Sequence, residues 1–127
     1  MKYYNYYVIS HGEKRFQSVW KTDEAEPTVE EDEILEETTV QDYIKYKENQ
    51  LRHDIVQMKE LYDGLMDRPV HEYNVYRRSL SEEQKEEYYA DALDALLMAL
   101  RYNLKFDKKT INKFLNVKIK HRKNSNN

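Results

Sequence analysis

Gly12 and Gly64 are the only glycines in the chain, and Gly12 falls between two runs suited to a pleated sheet. Residues 3–10 are dense in Tyr, Val and Ile, which fit a half-buried pleated surface. Residues 15–20 alternate, with Phe16, Ser18 and Trp20 on one face and Arg15, Gln17 and Val19 on the other. Glycine takes positive φ without a Cβ penalty, so His11-Gly12-Glu13-Lys14 reads as the turn of a β-hairpin over 2–21. An isolated hairpin is marginal in water, and it must pack on a helix or gain a third strand.

After residue 37 the hydrophobic period changes to that of helices. Thr38 and Gln41 have capping-box spacing. Ile44, Leu51, Ile55, Met58, Tyr62 and Leu65 then recur as a heptad seam, with Glu48 as its one polar interruption. Gly64 weakens the end and Pro69 disfavours helical geometry at Arg68, which predicts a helix over 39–67. Residues 70–78 read as a third strand, with Tyr73 and Val75 on one face, or as a loop. Ser81 and Gln84 form a second capping box, and Glu82 and Glu83 complement the helix dipole. The stripe Tyr89, Leu93, Leu96, Leu97 and Leu100 predicts the main core helix over 82–103. A short helix over 108–118, capped by Asp107, presents Ile111, Phe114, Leu115 and Ile119 to the core. The expected fold class is α+β, mainly helical: the hairpin, with a third strand near 70–78, packs on two long helices and one short C-terminal helix. One domain over 1–119 is expected, followed by a disordered basic tail over 120–127 that has no apolar content.

Charge is strongly segregated. Net charge is +3 over 1–21, -9 over 22–37, 0 over 38–78, -4 over 79–104 and +7 over 105–127. Residues 22–37 hold nine acids, no base and only Ile34 and Leu35 as strong apolar anchors. Like charges at that density repel, so the segment reads as a flexible acidic linker. With 39% hydrophobic and 35% charged residues the core is modest, but 12 Tyr, 3 Phe and 1 Trp bury large areas each.

The absence of Cys excludes disulfides, thiolate metal sites and a Cys nucleophile. The N-terminus lacks an apolar signal-peptide region, and the longest apolar run, 95–100, falls far short of the ~20 residues that span a bilayer. A soluble cytoplasmic protein is expected. His53-Asp54 has the look of a phosphohydrolase ligand pair, but no further ligands are placed with it, and the two lie ~100° apart on a helix. His11, His71 and His121 show no ligand spacing, and two glycines cannot build a phosphate-binding loop. The chain is therefore read as a non-enzyme, with no catalytic residues, metal or cofactor.

Three surfaces remain. The Tyr-rich hairpin carries aromatics on both faces, so the face turned from the helices exposes residues of the kind that anchor interfaces, Tyr4, Tyr6 and Trp20 among them. The acidic stretch, with Glu30, Glu31, Asp32 and Glu33 at its centre, can imitate a phosphate backbone before a basic groove. The C-terminal cations Lys108, Lys109, Lys113, Lys118, Lys120, Arg122 and Lys123 can neutralise phosphates. Richness in Lys, Asn, Tyr and Ile suggests an AT-rich coding sequence of the kind phages and plasmids carry. The resulting expectation is a protein-binding module, a phage or mobile-element product that inhibits or modulates a nucleic-acid-processing host protein. The alternatives are a small accessory nucleic-acid-binding protein using the basic C-terminal segment, and a homodimeric or larger scaffold built on the 44–65 seam.

Overall fold

The computed structural model describes residues 1–62, 64–107 and 109–116. Along the chain lie β1 (Lys2–Ser10), β2 (Glu13–Thr22), β3 (Glu33–Thr38), α1 (Val40–Leu61), α2 (Asp67–Ser79), α3 (Glu82–Tyr102) and a further helix, α4, over 109–116. The fold is α+β and mainly helical. Two compact units divide it, Met1–Tyr46 and Lys47–Asn127, with the boundary inside α1. No helix among the described residues is long and apolar enough to cross a membrane.

In the first unit β1 is the central strand of an antiparallel sheet of order β2-β1-β3. His11 (φ 53) and Gly12 (φ 76) are both left-handed, which makes a two-residue I′ turn closing the Ser10–Glu13 pair. That turn carries the right-handed twist of the flanking strands. A bulge breaks the simple alternation expected for β2. Tyr6 lies opposite Ser18 while Tyr7 lies opposite Phe16, so Gln17 is the extra residue. Phe16 is thereby turned to the face opposite Trp20. It meets Tyr7 edge-on at 5.8 Å and Tyr46 at 6.2 Å.

The third strand lies at 33–38: residues 33–37 fall in the segment expected to be a flexible acidic linker, and Thr38, expected to cap α1, ends the strand. Repulsion among the acids is overcome locally. Ile34 pairs with Tyr7 and Leu35 with Tyr6, giving each apolar side chain an aromatic neighbour. Lys14 from β2 reaches Glu36 at 2.5 Å, holding its carboxyl below the usual range while its own ammonium is raised. Residues 23–32 do form a loop. The Tyr3 face of the sheet is covered by the first turns of α1. Tyr3 and Tyr43 rings lie 5.3 Å apart, Lys21 sits 5.9 Å over the Tyr43 ring, and Val19 and Tyr43 are buried. The cap of α1 falls one residue later than expected, because Thr39 Oγ1 accepts from the Asp42 amide at 3.2 Å.

In the second unit α1 ends at Leu61 rather than 67, and Gly64 takes positive φ (76) in the turn that follows. Residues 70–78 form neither strand nor loop but lie in α2. Pro69 starts that helix instead of merely ending the previous one, since a first-turn residue has no helical acceptor for its N–H. Arg68 supports the same turn through Glu72 at 2.9 Å, i to i+4. The α3 capping box forms as expected, with Gln84 N donating to Ser81 Oγ at 3.2 Å and Ser81 N to Gln84 Oε1 at 3.1 Å. Leu93 and Leu96 are fully buried, and Leu97, Leu100, Phe106, Ile111 and Leu115 complete the core. Asp107 caps α4 by accepting from the Thr110 amide at 2.8 Å. Lys108, Ile119, residues 117–118 of the expected C-terminal helix and the expected tail at 120–127 lie outside the described residues.

Two ion pairs fix how α1 meets α3. Lys47 reaches Asp94 at 3.0 Å and Asp54 reaches Arg101 at 3.7 Å. Both steps are seven residues in the same sense, so the two helices run parallel along this contact.

Candidate functional site

The sheet brings together several of the aromatics and acids singled out in the sequence. Tyr4 lies opposite Trp20 across β1 and β2, and the Tyr6 and Trp20 rings stack with centroids 4.6 Å apart. Strand alternation puts Tyr4, Tyr6, Trp20, Leu35 and Glu33 on one face. The Tyr6 hydroxyl donates to Glu33 Oε2, while Glu33 Oε1 accepts from the Glu30 amide at 2.8 Å. One carboxylate thus ties the aromatic pair to the acidic turn. Asp32 O accepts from Ile9 N at 2.8 Å, so this turn lies at the same end of the sheet as His11-Gly12. Glu30, Glu31 and Asp32 are exposed, Tyr6, Trp20 and Glu33 are half-buried, and Tyr4 is buried. Tyr4 is therefore a support for the face rather than a contact, and Tyr6 with Trp20 carries the accessible area.

A second constellation escaped the sequence reading. Glu48, the polar interruption of the α1 seam, accepts a 2.6 Å hydrogen bond from the Tyr89 hydroxyl of α3. The Tyr89 ring lies nearly parallel to that of Tyr73 on α2, 6.2 Å away and tilted by 19°. The Arg77 guanidinium sits 5.5 Å over the Tyr89 ring. Tyr73 is only 3% exposed, and its hydroxyl faces that of Tyr89, with no hydrogen bond of ordinary geometry among the described residues. Burial, aided by the neighbouring Tyr89 hydroxyl, pushes the Tyr73 phenol well above its ordinary range; burial likewise raises Tyr89. These groups line a cleft of about 200 Å³ whose apolar walls are Leu51, Ile55 and Val70. A single charged residue inside an otherwise apolar heptad seam was the available signal.

The remaining candidates are not brought together. His53 and His71 are exposed, Asp54 pairs with Arg101, and no group of three His, Cys, Asp or Glu among the described residues could hold a metal ion. Lys109 and Lys113 are exposed on α4, one turn apart. Lys118, Lys120, Arg122 and Lys123, like Lys108, lie outside the described residues. Of the seam offered for self-association, Leu51 is buried within its own unit, while Tyr62 and Leu65 are exposed. Comparison with protein-family models, curated proteins and solved structures finds no match for this chain.

Proposed function

We propose that the protein is a non-enzymatic binding module that modulates a nucleic-acid-processing protein. The contact is made by the Tyr6–Trp20 pair together with the exposed turn Glu30-Glu31-Asp32. The observation that carries this reading is the Glu33 side chain, which hydrogen-bonds Tyr6 on one oxygen and the Glu30 amide on the other. It holds an aromatic anchor and three exposed carboxylates as one surface. A stacked aromatic pair is the usual energetic centre of a protein interface, and a rim of one charge sign selects and steers an oppositely charged partner. The partner is thus a protein with an apolar pocket beside a basic groove that otherwise receives nucleic acid.

The test compares three immobilised chains in an extract of the source organism: the native protein, Tyr6→Ala/Trp20→Ala, and Glu30→Gln/Glu31→Gln/Asp32→Asn. The protein retained by the native chain is then purified and titrated with each chain, with and without duplex DNA. Both variants are expected to bind at least roughly tenfold more weakly, and DNA to compete with the native chain. Equal affinity for all three chains, or indifference to DNA, would refute the proposal.

A further inference from the structure

β3 is an edge of the sheet, since the strand order is β2-β1-β3 and no strand among the described residues pairs with its far side. The register decides which of its backbone groups face outward. Ile9 N donates to Asp32 O, so Ile9 and Asp32 form a hydrogen-bonded pair. In an antiparallel ladder such pairs alternate with pairs that are not bonded to each other. Ile34, Glu36 and Thr38 are therefore bonded to Tyr7, Asn5 and Tyr3, whereas Glu33, Leu35 and Glu37 turn their backbone groups to the open edge. The hairpin gives the same phase independently. Its two-residue turn makes Ser10–Glu13 a bonded pair, so Val8, Tyr6 and Tyr4 direct their backbone groups to β2 and not to β3. The Glu33 amide donates to Glu30 O at 3.0 Å, which leaves the Glu33 carbonyl, both Leu35 groups and the Glu37 amide facing outward.

The side chains of these three residues lie on the face that carries Tyr6 and Trp20, with Leu35 opposite Tyr6 and Glu37 opposite Tyr4. A strand added antiparallel to β3 sets one of its own residues directly across from each of them. Across from Leu35, an apolar residue continues the row begun by Tyr6. Across from Glu33 and Glu37, cations meet carboxylates. The Tyr6 hydroxyl and Glu30 amide that bind Glu33 are neutral and leave its charge in place, while Glu36 on the other face is met by Lys14. A second β3 is refused at this edge, because antiparallel pairing about Leu35 would set Glu33 against Glu37. The acids that block self-pairing thus select a strand of opposite charge.

Resting on the surface proposed above, we propose that the partner engages it by adding an extended strand antiparallel to β3, with the side-chain pattern basic-x-apolar-x-basic. The probe is a capped peptide centred on Lys-Thr-Val-Thr-Lys, titrated into the ¹⁵N-labelled full chain. Saturable binding is expected, with a dissociation constant in roughly the millimolar range or below, the largest amide shifts at Leu35 and Glu37, and weakening as salt rises. Methylation of the valine nitrogen removes the donor to Leu35 O and should weaken binding roughly tenfold; methylation of a threonine nitrogen, which points away from β3, should not. Glu37→Pro removes an outward amide and leaves the bonds to β1 in place, so it should bind at least roughly tenfold more weakly than Glu37→Gln. If Glu37→Pro loses the sheet by far-UV circular dichroism, the two methylated peptides decide. The proposal is overturned if the lysine peptide does not bind, or if its glutamate analogue or the valine-methylated peptide binds equally. It is also overturned if light scattering shows a native dimer that Glu37→Pro splits, which would give the edge to a second copy. The captured partner separates this proposal from the function above. A partner sensitive to Tyr6→Ala/Trp20→Ala but indifferent to Glu37→Pro overturns strand addition alone, whereas a partner indifferent to the aromatic and acidic variants overturns the function.

Discussion

Tyr73 and Tyr89 lie against each other, yet deletion of their hydroxyls should differ several-fold in cost. In Tyr89→Phe the Glu48 carboxylate loses a 2.6 Å donor in a part-buried position. Hydrogen bonds to charged groups contribute about 1.5–3 kcal/mol, and that is the expected loss of stability. In Tyr73→Phe the removed hydroxyl is buried with only the Tyr89 oxygen as a weak acceptor among the described residues, so the lost interaction and the relieved desolvation cost largely offset each other. The ring, its stacking on Tyr89 and its contact with Phe106 all remain. The expected change is within about 1 kcal/mol of zero. With an unfolding entropy near 2.1 cal/mol/K per residue, 1 kcal/mol moves the midpoint by about 4 °C for a chain of 127 residues. Tyr89→Phe should therefore melt about 6–12 °C lower, and Tyr73→Phe within about 4 °C of the native chain. Urea titration should show the same order in the transition midpoints with unchanged slopes. If Tyr73→Phe is destabilised by more than about 1.5 kcal/mol, its hydroxyl makes a full-strength native hydrogen bond and the reasoning fails.

Three further outcomes follow from the same geometry. Burial raises the Tyr73 phenol above its unfolded value of 10.0, so the folded state keeps a proton that the unfolded chain releases. Stability should be level below about pH 10 and then fall by about 1.4 kcal/mol per pH unit from this group, with Tyr89 acting in the same direction; urea midpoints against pH should show a shallower alkaline fall in Tyr73→Phe. Leu96→Ala empties a fully buried position on α3 and should cost about 2–5 kcal/mol in urea unfolding, with a spread set by how far the site collapses. His11→Asn keeps the left-handed turn position and supplies the Asn-Gly pair that I′ turns favour, so hydrogen-exchange protection across Ser10–Glu13 should rise, and a fall would refute the turn assignment.

Where a residue's structure was set by near neighbours, it was legible in the sequence. Gly12 marked the hairpin because positive φ is a property of the residue itself, and Ser81–Gln84 marked the start of α3 because both capping partners lie within one turn. The errors arose where the deciding partner was distant in sequence. Residues 33–38 looked unfit for order when their charges were counted alone. Pairing with β1 orders the strand, and the ion pair to Lys14, twenty-two residues away, offsets the repulsion at Glu36. The bulge at Gln17 defeated the alternation rule for the same reason. Nothing within β2 reveals that Tyr6 and Tyr7 will take Ser18 and Phe16 as neighbours. In 70–78 the aromatic and β-branched content argued for a strand, and tertiary packing of Tyr73 on Tyr89 and Phe106 in a helix overrode it.

The candidate sites divide along the same line. The aromatic and acidic residues of the sheet surface could be named from the sequence because exposed Tyr, Trp and Glu are conspicuous one by one. Their union into a single surface depends on Glu33, whose two oxygens serve a strand residue and a turn amide at once. The helical cleft was not conspicuous, because Glu48, Tyr73, Tyr89 and Arg77 each have an ordinary explanation in isolation. Glu48 passes for a tolerated seam polar, Tyr89 for a core aromatic and Arg77 for a last-turn cation favoured by the helix dipole. Together they place a hydrogen-bonded carboxylate, two stacked phenols and two exposed guanidiniums around one cleft. Only contacts between distant elements assemble them, Glu48 to Tyr89 across 41 residues of sequence and Tyr73 to Tyr89 between α2 and α3.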